Sequence, residues 1–104
     1  MRVNIGTVRA FPGLTPDKAQ ALKVVEEAAE VFGAWQAWDA WRGEDDRAGR
    51  TLASSAYLYT LSEIADCITA CANLAAAMGV RDLRPYIELA RAKNEERGRY
   101  DDAD

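Results

Sequence analysis

The sequence predicts an all-α protein built from an antiparallel helical hairpin and a third, shorter helix. Three observations point there. Apolar residues recur at helical spacing over two long stretches, with no sustained alternation that would mark a sheet. Caps and breakers divide the chain into three segments: Thr15-Pro16 at one start, Gly43 after one end, Gly79 after another. And 49% of the 104 residues are hydrophobic, enough for a chain of this size to fold without staples.

Residues 1–15 read as an arm, with Val3 and Ile5 alternating like a brief extended piece and Pro12-Gly13 as a turn. The domain itself spans 16–99. Thr15 is expected to cap a first helix running from Pro16 to about Trp41. The stretch Gly43 to Gly49, polar and bracketed by glycines, reads as a mobile connection. A second long helix is expected from Leu52 to Met78, and a third, capped by Asp82, from Leu83 to Arg97 or Gly98. Residues 100–104 form an acidic tail. On the second helix, Leu61, Ile64 and Ile68 make one apolar stripe and Cys67, Cys71, Leu74 and Met78 another. A helix apolar on two sides needs neighbours on two sides, so the hairpin is expected to pair with another copy into a four-helix bundle.

Composition excludes whole classes of chemistry. The chain has no histidine, which removes Ser-His-Asp and Cys-His centres and His-ligated zinc or haem. Its 13 basic and 17 acidic residues give a net charge of −4, a poor match to nucleic acid. The longest apolar segment, Leu61 to Met78, contains Glu63, Asp66 and Asn73, which argues against a membrane span. Cys67 and Cys71, one turn apart on a helix, suit a disulfide poorly and read as two buried, reduced thiols. With no signal-like N-terminal pattern, a cytoplasmic location is expected.

What remains is carboxylate chemistry. Between Thr51 and Val80 there are two charged residues, Glu63 and Asp66, three apart and on one helix face. The first helix carries Glu26, Glu27 and Glu30 within a narrow sector, with Lys23 one turn before Glu27. Each motif alone is an ordinary solvated stripe. The hairpin sets Glu27 and Glu30 against Glu63 and Asp66, where they must take up protons or share a divalent cation. All-oxygen ligands favour Mg²⁺, with Mn²⁺ second.

The ordered pair Glu27-x-x-Glu30 and Glu63-x-x-Asp66, with Glu26 ahead of it and Asn73 seven after the aspartate, resembles the MazG-like all-α nucleoside triphosphate pyrophosphohydrolases. The resemblance covers roughly residues 16–99. It implies Mg²⁺-dependent cleavage between the α- and β-phosphates, with Glu27, Glu30, Glu63 and Asp66 as metal ligands and Asn73 in the substrate site. The interval between the half-motifs, Val31 to Ser62, is longer than in that pattern.

Without histidine, water activation would rest on the metal, a carboxylate base, or both, and Glu26 and Glu27 are the candidate bases. On the third helix Asn94 and Arg97 continue the inner stripe of Leu83, Ile87 and Ala90, with Lys93 at its edge. These three could bind phosphates, or could simply end a solvated helix. Trp38 or Trp41 could stack on a nucleobase or could serve packing, as Trp35 does on the more apolar side. Two other readings stay open: a non-catalytic helical interaction domain, and a related pyrophosphohydrolase acting on an unusual, phosphoribosyl-linked nucleotide.

Overall fold

The computed structural model describes residues 1–100, so the acidic tail beyond Tyr100 lies outside the described residues. Three helices follow an irregular arm: α1 (Lys18–Trp41), α2 (Arg47–Ala77) and α3 (Arg84–Glu96). No strand occurs among the described residues, and Val3 and Ile5 lie in the irregular arm. The Pro12-Gly13 turn is present.

The caps refine the expected boundaries. α1 is capped by Asp17, not Thr15: the Asp17 carboxylate accepts the Gln20 N–H at 2.9 Å. Thr15 supports the cap from outside, its hydroxyl donating to Asp17 at 2.6 Å. The second half of the expected mobile connection, Arg47 to Gly49, is helical. Asp46 accepts the Gly49 N–H at 2.6 Å, so α2 begins at Arg47, five residues before Leu52, and only Arg42 to Asp46 link the helices. Gly49 is buried in that first turn, where a Cβ would collide with the Glu44 side chain and sit 2.9 Å from the capping oxygen of Asp46. Gly49→Ala should therefore cost about 1–3 kcal/mol, as over-packing typically does. A melting temperature equal to wild type would show that the cap adapts.

At the far end, α2 stops in a Schellman turn. Gly79 takes φ +86°, Val80 N–H donates to Ala75 O and Gly79 N–H to Ala76 O, both at 2.9 Å. Asp82 then accepts the Arg84 N–H at 3.0 Å and pairs with its guanidinium, although Leu83 is the residue at the cap position.

α1 and α2 pack along their length as an antiparallel hairpin, and α3 packs on neither of them. The seam has a heptad period. On α1 the covered residues are Gln20, Val24, Glu27, Val31, Ala34 and Trp38; on α2 they begin Gly49, Ala53, Ala56, Thr60, Glu63, Cys67 and Ala70. Spacings that alternate between three and four hold one stripe toward the partner helix. Beyond Cys67 the covering of α2 widens to most residues as far as Ala77. The arm crosses in this region, with the Phe11 N–H donating to Asn73 Oδ1 at 3.0 Å.

One step from the seam, the two flanks of the hairpin differ. The residues just after each seam position include Val25, Phe32 and Trp35 on α1 and Tyr57, Leu61 and Ile64 on α2, all exposed. The residues just before include Lys23, Glu26 and Glu30 on α1 and Tyr59, Ser62 and Asp66 on α2. In an antiparallel pair these offsets turn to the same side, so one flank is apolar and the other polar. Cys67 is half-buried on the seam, whereas Cys71 is exposed on the apolar flank. That corrects the expectation of two buried thiols.

Candidate metal centre

The heptad places two glutamates where a coiled-coil seam normally carries aliphatic residues. Glu27 and Glu63 meet across it, with Asp66 at the edge of the polar flank, and one carboxylate oxygen from each lies within 4.8 Å of the others. Glu63 is 7% exposed. One oxygen of each seam glutamate, Glu27 Oε2 and Glu63 Oε2, is buried without a hydrogen-bond partner. Two carboxylates at this separation repel by roughly 3 kcal/mol at an effective dielectric near 20.

Glu30 joins them from the polar flank. Its carboxyl is held above the ordinary glutamate value, first by its hydrogen-bonding approach to Glu63 and then by the charge of Glu27. Three of the four expected ligands, Glu27, Glu63 and Asp66, thus form one cluster, with Glu30 beside Glu63. Lys23 lies 3.8 Å from Glu27 and 3.2 Å from Glu26, as its spacing suggested. Glu26 turns outward into that ion pair and stands apart from the Glu27–Glu63–Asp66 trio.

Tyr59 is the residue that sequence reasoning missed. One turn before Glu63, its phenol is pushed up, first by hydrogen bonding to Glu63 and then by that residue's charge; Glu30 and Asp66 add smaller effects. It stands at the cluster's mouth as a hydroxyl that keeps its proton. Its i−4 spacing from Glu63 was the available signal.

The other candidates lie elsewhere. Asn73 is 3% exposed and spends its carbonyl on the arm. Trp38 lies about 16 Å along α1 from Glu27 by helical rise. Its ring carries the Arg42 guanidinium 5.1 Å from the centroid and tilts against Tyr57 at 6.3 Å. With Ala53, Ser54 and Leu58 these residues line an open hollow of about 480 Å³ beside the hairpin's closed end. Lys93 and Asn94 sit on α3 and Arg97 is its C-cap; α3 packs on neither helix of the hairpin that carries the carboxylates.

The donor set is suited to a hard cation: carboxylate oxygens alone, two of them buried and unsatisfied, with no nitrogen donor available. No helix among the described residues is long and apolar enough to cross a membrane. No family model matches the chain, and no curated protein or solved structure matches it either.

Proposed function

We propose that this protein is a Mg²⁺-dependent nucleoside triphosphate pyrophosphohydrolase of the MazG-like kind. The observation that carries the reading is the cluster of Glu27, Glu63 and Asp66 carboxylates, in which Glu27 Oε2 and Glu63 Oε2 are buried and partnerless. Such a burial is costly unless the groups share protons or a cation, and the reading takes the cation.

In this reading Glu27, Glu30, Glu63 and Asp66 hold Mg²⁺, with Mn²⁺ as substitute. When bound, the cation offsets the charge on the phosphates and on the departing pyrophosphate. A water oxygen bonds to the α-phosphorus, the bond to the α–β bridging oxygen breaks, and nucleoside monophosphate and pyrophosphate result. Glu26 or Glu27 accepts the water's proton. Lys23, bridging the two, orients them. Asn73, whose carbonyl is held by the arm, would offer substrate its amide. Lys93, Asn94 and Arg97 would reach phosphates only from another copy, because α3 leaves its own hairpin.

A homo-oligomer belongs to the same reading. The exposed flank of Val25, Phe32 and Trp35 with Tyr57, Leu61 and Ile64 repeats at heptad spacing, and a second hairpin laid on it makes a four-helix bundle. The same apolar flank favours the main alternative, an interaction domain without catalysis.

Pyrophosphate release from a panel of ribo- and deoxyribonucleoside triphosphates, in Mg²⁺ and in EDTA, separates them. Pyrophosphate with matching monophosphate, dependent on metal, is expected. Release of orthophosphate would move the cleaved bond. No release from any member would shift the reading to the interaction domain or to a phosphoribosyl-linked substrate.

A further inference from the structure

α3 is the most clearly amphipathic of the three helices, and its own chain leaves it uncovered. Leu83, Tyr86, Ile87 and Ala90 fall on one face and are all exposed. On another side Arg91 bridges Glu88 and Glu95, each at 2.6 Å, which holds the helix in shape. A helix of 13 residues is marginal alone in water, so a stable α3 requires something to pack on. The Schellman turn at Gly79 leads it away from its own hairpin.

The dimensions give the same account. The radius of gyration is 17.0 Å, against about 13 Å for a compact domain of this length. The accessible surface is 8407 Å² for 11.4 kDa, an excess of about 2,600 Å² over a typical folded monomer of that mass. Twice that excess falls in the range that obligate dimers bury.

A second copy fits the excess, because each chain presents both an uncovered helix and an uncovered receptor. Where two hairpins pair antiparallel on their apolar flanks, the open end of one, from which α3 departs, lies beside the closed end of the other. That closed end carries the hollow of Trp38, Tyr57 and Leu58. We propose that α3 is exchanged: its Leu83–Tyr86–Ile87 face seats in the Trp38–Tyr57–Leu58 hollow of a second copy, whose α3 returns the contact. This rests on the hairpin pairing proposed above and is independent of the catalytic reading.

The test mixes ¹⁵N-labelled chain with unlabelled chain bearing a nitroxide at Ala92→Cys, on the outer face of α3, both with Cys67→Ser and Cys71→Ser. The Trp38 indole signal of the labelled chain should lose more than half its intensity. Broadening seen only when nitroxide and ¹⁵N share one chain, or a monomer at tens of micromolar by sedimentation, would overturn the exchange. In parallel, Ile87→Asp should raise the dimer dissociation constant at least 100-fold, while Leu89→Asp, off the seated face, should change it less than threefold. Equal effects of the two would also overturn it. None of these measurements involves nucleotide or metal, so failure of the enzyme assay leaves the result standing.

Discussion

Glu63→Gln should abolish metal-dependent pyrophosphate release, by at least 100-fold, and at the same time make the metal-free protein more stable. Both effects come from one feature. Glu63 is buried on the seam, with one oxygen unpartnered and the Glu27 carboxylate close by. Replacing one of two repelling carboxylates by an amide removes a buried charge and supplies a donor for Glu27. That is worth about 2 kcal/mol, given the cost of leaving a buried group unsatisfied. For a chain of this size such a gain is ~10 °C in melting temperature. In Mg²⁺ the order should reverse, because wild type gains binding energy in the folded state and the variant does not. A variant that melts lower than wild type in EDTA, yet is still stabilised by Mg²⁺, would falsify the ligand assignment.

The same cluster fixes a pH dependence. Glu30 has its folded pKa raised above the ordinary value of 4.5 by Glu63 and then Glu27. The folded state therefore binds the proton more tightly than the unfolded state. In EDTA this residue's contribution is most unfavourable above its raised pKa and is relieved as pH falls through it toward 4.5. Melting temperature in EDTA should thus rise on mild acidification from neutrality. Saturating Mg²⁺ should flatten the rise, since cation and proton compete for one site. A melting temperature that falls steadily below pH 7 in EDTA would contradict the crowding of these carboxyls.

The second large effect is expected at Phe32, near the middle of the exposed apolar flank on α1. Phe32→Asp places a charge where a second hairpin is proposed to lie. Each copy loses roughly 1.5–3 kcal/mol of aromatic burial. A charge then faces the interface on both sides of the two-fold, and the dissociation constant should rise more than 1,000-fold. Sedimentation equilibrium reads this directly. An unchanged mass at micromolar concentration would move the interface off this flank.

Much of this arrangement is legible in the sequence, and the exceptions have physical causes. The three helices are announced by caps and breakers. The start of α2 falls five residues earlier than its sequence suggests because the linker's glycines look like loop; Gly49 is in fact the one residue small enough for the first helical turn under Asp46. The meeting of Glu27 and Glu63 follows from two spacings and a hairpin. The burial of both on the seam does not, because charged residues are ordinarily assigned to the solvent side. Trp38 shows the reverse case. Its angular position on α1 is readable, but its engagement by Arg42 and Tyr57 depends on how the closed end folds. Asn73 fits the motif by count, and only the path of the arm reveals that Phe11 holds its carbonyl.

The seven-residue rhythm of α2 also constrains how such a chain can change in length. Adding one residue between Thr60 and Glu63 would rotate everything downstream by about 100°. That would carry Asp66 toward the seam and swing Glu63 onto the flank where Ile64 now stands. The carboxylate opening and the apolar flank would exchange character in a single step. Adding seven residues there would keep every face but slide Glu63 and Asp66 about 10 Å along α2, away from Glu27, unless α1 gained a matching heptad between Glu27 and the link. Inherited or engineered insertions on the link side of the carboxylates are therefore admissible only as matched whole heptads in α1 and α2, which move the closed end and leave the carboxylates opposed.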